Sequence, residues 1–333
     1  MSRASATVRP CATRPDNSSE VTSQTPPAIA QFGCLWRIPC QHDYTVRINL
    51  DGAPSAPRRM PRAIVKIMLR NASDLKGFAI RATDGEIGSV EDIYFDDETW
   101  AIRYLTVNTG GWLGGRVVLI SPILIHEADW QAKLLDVSLT QEQLKNSPDI
   151  NTHQPVSRQH ESEYFAYYGY PVYWGGPYMW GSSLVPAGLA VPIAAAIEAS
   201  MPEIDSADSH LRSSHEVTGY NIEATDGEIG HLAGFVMDDE TWAIRYIEVA
   251  TRNWWPGKKV LVSPGWIDRV SWADSSVYVG LSREAIQNAP EYTESMAITR
   301  EYEDQLFSHY GRPPYWLHGA GHAGTKLPTE PTP

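Results

Sequence analysis

Short apolar runs alternate with polar or glycine-rich turns over much of the chain. In residues 80–139 this pattern predicts strands at 80–81, 87–95, 100–107, 117–120, 123–125 and 134–139. Asp84-Gly85 predicts a two-residue hairpin turn, because both central positions of such a turn need positive φ. Six short strands at this spacing indicate a small barrel or sandwich.

Two helical segments follow the predicted strands. Thr140 and Gln143 have the spacing of a capping box, and Pro148 ends the short helix that begins there. A second helix is predicted near 158–168 and ends at Gly169 and Pro171. We expect the aromatic residues from 164 to 174 to dock on the barrel as structural cladding.

The whole pattern occurs twice. DDETWAIRY stands at 96–104 and at 238–246, and ATDGEIG stands at 82–88 and at 224–230, so that both strings share an offset of 142 residues. The copies align without an insertion. The predicted fold is mainly β, with two tandem six-stranded β-barrels, each followed by short helices, and a minor α content.

The predicted boundaries follow from this repeat. Residues 1–67 are predicted to be a disordered basic segment. The first copy comprises barrel one at 68–150 and its helix and aromatic tail at 151–174, and a linker follows at 175–210. The second copy comprises barrel two at 211–292 and its helix and aromatic tail at 293–316, and a disordered tail follows at 317–333. Two explanations of 1–67 stay open. The segment is either a real basic tail or an untranslated stretch upstream of a true start at Met68.

Charge and cysteine content narrow the function classes. Residues 1–67 hold nine Lys/Arg and four Asp/Glu, which leaves eighteen basic and thirty-six acidic residues in 68–333. An acidic body argues against affinity for nucleic acid. All three cysteines lie in the first 40 residues, so the repeats have no thiol chemistry. No apolar run reaches the 18 residues of a membrane span, and we expect a cytoplasmic protein.

The order of motifs resembles the PRC-barrel family. In the first copy it runs ATDGEIG, an acidic turn, WAIRY, a glycine-rich turn, VLISP and LTQEQLKNSP, and the resemblance covers 69–150 and 211–292. The family includes the cytoplasmic part of the photosynthetic reaction-centre H subunit and half of a ribosome maturation factor. The resemblance implies a bacterial six-stranded barrel that binds proteins and has no shared catalytic residues. The reaction-centre subunit has an N-terminal membrane helix, and the sequence predicts none for this chain.

Individual polar residues give little evidence of chemistry. The carboxylates of the duplicated string, at 96–98 and 238–240, match no calcium-loop spacing, and we expect a solvated turn. Arg103 and Arg245 lie in mid-strand, where we expect a cross-strand carboxylate partner or an arginine stem over a tryptophan face, with partner binding as the alternative. No nucleophile, metal or phosphate-loop motif is present, so no cofactor, catalytic residue or metal ligand is predicted.

The glycine-rich turn after WAIRY is where the copies stop agreeing. Both versions place tryptophan beside basic residues, a combination that binding hot spots favour. The candidate partner-binding residues are Trp112, Arg116, Trp254, Trp255, Lys258 and Lys259. The alternative is that these tryptophans fold back to cap the barrel.

Three functional hypotheses remain, and none is enzymatic. The first is a scaffold for an unidentified protein partner, in which the two barrels form an internal pseudo-dimer or a bivalent pair. The second is a membrane-peripheral assembly factor similar to the reaction-centre H subunit. The third, disfavoured by the acidic body, is a factor that associates with the ribosome or with RNA.

Overall fold

The computed structural model describes residues 68–111, 113–148, 156–174, 176–189, 210–251 and 258–318. All of them fall in the second of the two compact units of the chain, Ala63–Pro333. The predicted disordered segment 1–67 and most of the tail 317–333 lie outside the described residues.

Each copy folds into seven short strands and a few short helices. The first copy contains β1 (Leu69–Asn71), β2 (Ala79–Ala82), β3 (Gly85–Asp96), β4 (Ala101–Asn108), β5 (Val117–Ile120), β6 (Ile125–Asp129), β7 (Leu134–Val137), α1 (Gln141–Lys145) and α2 (Arg158–Tyr168). The second contains β8 (Leu211–Ser213), α3 (Ser214–Val217), β9 (Asn221–Ala224), β10 (Gly227–Asp238), β11 (Ile244–Thr251), β12 (Lys259–Val262), β13 (Ile267–Ser271), β14 (Ser276–Val279), α4 (Arg283–Gln287) and α5 (Arg300–Tyr310).

Both copies have the same strand order. It is β5-β4-β3-β2-β7-β6 in the first sheet and β12-β11-β10-β9-β14-β13 in the second, and every neighbouring pair is antiparallel except β2 with β7 and β9 with β14. Among the described strands no ladder joins β5 to β6 or β12 to β13. The predicted mainly β fold with minor helices is confirmed. The sheets are not closed, and each has seven strands, because one more strand joins the six of its path.

The seventh strand of each sheet comes from the other copy. β1 pairs with β10, so that Leu69 lies opposite Asp238, and β8 pairs with β3, so that Leu211 lies opposite Asp96. The two copies therefore exchange their first strands reciprocally. Sequence periodicity does not reveal this exchange, because a three-residue strand carries too little pattern to show which partner it joins.

A central backbone contact completes the junction between the copies. Ala101 pairs with Ala243, and the Ile102 and Ile244 amides donate to the Trp242 and Trp100 carbonyls at 2.8 and 2.7 Å. Both tryptophans have positive φ, 55° and 59°, a conformation that costs a bulky residue about 1–3 kcal/mol. The two carbonyls are thereby turned toward the other copy. Buried apolar side chains of both copies form one continuous core.

Most predicted local elements are confirmed. The capping box of Thr140 and Gln143 is present at α1, and Gly169 ends α2 in the left-handed region. The strand predicted at 123–125 is wrong, because Pro122 begins a single 3-10 turn at Pro122–Leu124 and the strand starts at Ile125. A proline at the first helical position favours that turn.

No helix in the described part of the chain is long and apolar enough to cross a membrane.

Candidate binding surface

Arg116 fixes the base of the first candidate loop. Its two guanidinium nitrogens donate to the Lys145 and Ser147 carbonyls at 2.9 and 2.7 Å. Those carbonyls lie at the C-terminal end of α1, where a helix has unsatisfied acceptors and a partial negative charge. Arg116 therefore ties the β4–β5 loop to α1 within its own copy.

Lys258 does the same in the second copy. It is the residue equivalent to Arg116, and its ammonium donates to the Gln287 carbonyl at 2.6 Å, at the last residue of α4. Gln287 is equivalent to Lys145. The two loops are therefore anchored at matching places by different basic side chains.

Lys259 is also engaged within the chain. Its ammonium lies 3.2 Å from a carboxylate oxygen of the buried Glu248 and contacts Glu294. Burial raises the pKa of Glu248, while the charge of Lys259 opposes that shift. Of the six candidate partner-binding residues, Trp112, Trp254 and Trp255 lie outside the described residues, so their predicted role stays a prediction.

The duplicated string forms a buried polar cluster in each copy. Arg103 is 1% exposed, and its guanidinium donates to the Met179 carbonyl at 2.8 Å and to Thr99 Oγ1 at 2.9 Å. It lies 3.4 Å from Asp96 Oδ2 and stacks over the Tyr173 ring at 3.7 Å. Both expected partners of Arg103, a carboxylate and an aromatic face, are confirmed.

The prediction that the acidic turn is solvated is wrong for Asp96 and for its equivalent Asp238, which are 1% and 0% exposed. Asp96 Oδ1 accepts from the Glu98 and Thr99 amides, both at 3.0 Å, so that the carboxylate closes the turn. Burial opposes ionisation of Asp96, but the surrounding positive charges, that of Arg103 foremost, and the hydrogen bond from the Thr99 amide together outweigh burial, so the pKa of Asp96 is lowered. The next residue, Asp97, faces the other copy.

The second copy repeats this cluster. Arg245 Nη2 donates to Asp238 Oδ2 at 2.7 Å and to Thr241 Oγ1 at 3.2 Å, and its guanidinium lies 4.5 Å from the Tyr315 ring centroid. Both tryptophans of the string, Trp100 and Trp242, are buried rather than half-buried. Identity of the string in the two copies therefore has a structural cause.

A second buried acid lies next to this cluster in each copy. Glu161 of α2 accepts from the Tyr104 and Tyr173 hydroxyls at 3.0 and 2.7 Å. Its equivalent Glu303 accepts from the Tyr246 and Tyr315 hydroxyls at 2.7 and 3.0 Å. These contacts join helix, strand and aromatic tail, which confirms the predicted docking of the tail on the sheet.

The described residues contain no group of three or more His, Cys, Asp or Glu side chains arranged to hold a metal ion. The buried carboxylates of Asp96 and Asp238 face arginine of the same chain, and those of Glu161 and Glu303 accept from tyrosine hydroxyls.

Residues missed by sequence reasoning lie where the two copies touch. Asn71, Asp92, Ser213, Ser214 and Glu248 form the polar contacts of the exchanged strands. The available signal was a comparison of the copies at the 142-residue offset, since 71/213, 92/234 and 106/248 differ in a sequence that is otherwise closely repeated.

Residues 69–138 match the family model described as the PRC-barrel domain. A comparison with curated proteins found no match. The second copy shares the strand order of the first.

Proposed function

We propose that this chain is a non-enzymatic, protein-binding scaffold of the bacterial cytoplasm, in which both copies are PRC-barrel domains. The PRC-barrel match of 69–138 supports an interaction module. The observation that carries the proposal is the matched anchoring of the two β-loops, by Arg116 on α1 and by Lys258 on α4. Loops with fixed bases and tryptophan-bearing tips suit recognition, because little ordering entropy is lost on binding.

The pseudo-dimer gives this scaffold two related faces. Reciprocal exchange of β1 and β8 holds the copies in one arrangement. Since the loops differ in sequence, GGWLGGR in one copy and NWWPGKK in the other, the two faces would bind different epitopes of one partner. A partner that needs both faces would gain affinity from the second contact without a new binding site.

The test is co-purification of partners with the full-length chain from its native host. Trp112→Ala and the double variant Trp254→Ala/Trp255→Ala should each lose the specific partner. Tyr178→Ala is the matched control, because Tyr178 is an aromatic residue that is 48% exposed and belongs to neither loop segment of the sequence. Recovery of every partner by the two loop variants would overturn the proposed binding role of the loops.

The membrane-peripheral hypothesis is distinguished by flotation of the same extract with its membranes. A scaffold of soluble partners stays in the soluble fraction. Flotation that is lost in the Trp254→Ala/Trp255→Ala variant would instead favour an assembly factor that docks on an integral membrane protein. Binding to ribosomes that falls steeply with added salt would favour the third hypothesis.

A further inference from the structure

The two exchanged segments are similar but not interchangeable. Arm one is residues 68–72, MLRNA, and arm two is residues 210–214, HLRSS. The Leu and Arg at their second and third positions are identical, and the other three positions differ. Each arm lies on the long central strand of the opposite copy, arm one on β10 and arm two on β3.

The shared arginine provides the common part of the contact. Arg70 Nε lies 2.7 Å from Asp239 Oδ2, and Arg212 Nε lies 2.8 Å from Asp97 Oδ2. Since both pairs are alike, they cannot distinguish one arm from the other. Any selectivity must come from the positions that differ.

Arm two is held by a carboxylate on β3. Asp92 accepts from the hydroxyls of Ser213 and Ser214 at 2.5 and 2.7 Å and from the His215 amide at 3.2 Å. The second copy has Gly234 at the position of Asp92, and arm one has Ala72 at the position of Ser214. Arm one has Asn71 at the position of Ser213, so it has neither hydroxyl to offer, and β10 has no carboxylate at this position to receive one.

Arm one is held by a carboxylate on a different strand. Asn71 Nδ2 donates to Glu248 Oε1 at 2.7 Å, and Glu248 on β11 is 1% exposed. The first copy has Thr106 at that position. A Cβ atom added to Gly234 would lie 3.3 Å from Glu248 Cδ. Glycine at 234 therefore makes room for Glu248. We call the carboxylate that holds an arm its receptor. Asp92 is the receptor in the first copy and Glu248 is the receptor in the second.

The first position of the arms differs as well. His210 of arm two is buried, with its Nε2 3.2 Å from Glu161 Oε2 and 3.1 Å from the Tyr173 hydroxyl. Arm one has Met68 there, which is 42% exposed. Arm two therefore carries a polar anchor into the first copy that arm one lacks.

We propose that the arms form a recognition code in which each copy accepts the arm of the opposite copy and rejects an arm of its own type. If two molecules paired through their first copies, arm one would lie against Asp92 and could not fully satisfy it. If they paired through their second copies, arm two would lie against Glu248 and would lack the amide donor of Asn71. Glu248 is buried and Asp92 is half-buried, and a carboxylate shielded from water that loses its donors destabilises the contact by more than a neutral hydrogen bond gains. The code directs copy one to copy two and disfavours chains linked through identical copies.

The test converts one receptor and one arm in the full-length chain. Gly234→Asp/Glu248→Thr gives the second copy the receptor of the first, and Asn71→Ser/Ala72→Ser gives arm one the hydroxyls of arm two. Each pair alone should raise the unfolding equilibrium constant by about tenfold or more, read as a lower urea midpoint. All four substitutions together should recover most of that loss, because the carboxylate introduced at position 234 would then meet the two hydroxyls introduced into arm one.

Loss in the four-fold variant equal to the sum of the two pairs would overturn the code. If the four-fold variant does not fold, the single substitution Ala72→Ser provides a smaller test. It should lower the urea midpoint of the wild-type chain, because Ala72 is buried and Gly234 offers the new hydroxyl no carboxylate, and it should raise the midpoint of Gly234→Asp/Glu248→Thr. An equal effect in both backgrounds contradicts the proposal.

Discussion

Arg70 Nε lies 2.7 Å from Asp239 Oδ2, and the equivalent Arg212 Nε lies 2.8 Å from Asp97 Oδ2. Each arginine also lies over a tryptophan of its own copy, Arg70 over Trp130 at 4.2 Å and Arg212 over Trp272 at 4.1 Å. The repeat of an ion pair and of an aromatic stack about one axis marks the interface as a pseudo-twofold.

We expect Arg70→Ala to lower the free energy of unfolding by about 1 kcal/mol, because a partly exposed ion pair and a cation–π contact are lost together. Arg70→Lys should retain less than half of that contribution, since lysine lacks the planar group that fits both partners. Urea unfolding monitored by tryptophan fluorescence measures both. Arg81→Ala is the matched control, because the Arg81–Asp136 pair lies within one copy and its arginine is 52% exposed. If Arg81→Ala lowered the free energy of unfolding by the same amount, the Arg70–Asp239 pair would contribute no more than an ordinary surface ion pair.

The buried Arg103–Asp96 pair should be far more sensitive. Arg103→Met leaves the Asp96 carboxylate buried without its counter-charge, and we expect a loss of about 3–5 kcal/mol. Arg245→Met should behave alike, because Arg245 and Asp238 are also both buried. Chemical denaturation of the two variants checks the magnitude. A loss below about 1 kcal/mol in both would contradict the structural role assigned to the duplicated string.

Acid should reduce the contribution of Asp96. Its pKa is lowered in the folded protein, so its ionised form contributes stability above the unfolded pKa of about 4 and loses it as the pH falls through the folded value. We therefore expect the stability difference between wild type and Asp96→Asn to be constant from about pH 5 to pH 7 and to narrow below about pH 4. Urea unfolding across this acidic range measures the difference. A gap that widens in acid would show that the pKa is raised.

Gly88 should tolerate no side chain. A Cβ atom there would lie 2.0 Å from the Asn108 carbonyl oxygen, and one at the equivalent Gly230 would lie 2.1 Å from the Ala250 carbonyl oxygen. Because backbone on the neighbouring strand must move, we expect Gly88→Ala to cost about 3 kcal/mol or more. Gly111→Ala is the control, since nothing lies within 4 Å of its Cβ position. Thermal unfolding that ranks the two variants equally would contradict the close approach.

Some features of the fold could be predicted from the sequence, and others could not. The capping box at Thr140 follows from local chemistry, so it could be predicted. A hairpin was predicted at Asp84-Gly85 and does join β2 to β3, but its two turn residues are Thr83 and Asp84, Asp84 does not have positive φ, and Gly85 already pairs with Ala82. The burial of Asp96 could not, because an acidic turn looks solvated until its arginine partner is placed. The glycine ending ATDGEIG is required by a strand 20 residues further along, and no local rule identifies it.

The pairing of the two copies could not be predicted from the sequence for a related reason. The duplication indicated a pseudo-dimer or a bivalent pair, but β1 and β8 are three residues each, and their partner strands belong to the opposite copy. The candidate residues Arg116 and Lys258 were singled out for their charge beside tryptophan. Their carbonyl partners on α1 and α4 emerge only once the short helices are packed against the loops.

The central claim is that the two copies of one chain pair with each other, and a disulfide at Ala101 and Ala243 tests it most directly. These residues face each other as a non-hydrogen-bonded antiparallel pair, with a spacing that suits a disulfide. In a chain with Cys11, Cys34 and Cys40 replaced by serine, Ala101→Cys/Ala243→Cys should oxidise to one intramolecular disulfide, with the hydrodynamic size unchanged and each single variant inert. Disulfides only between chains, or none under oxidising conditions, would contradict the pairing of the two copies within one chain.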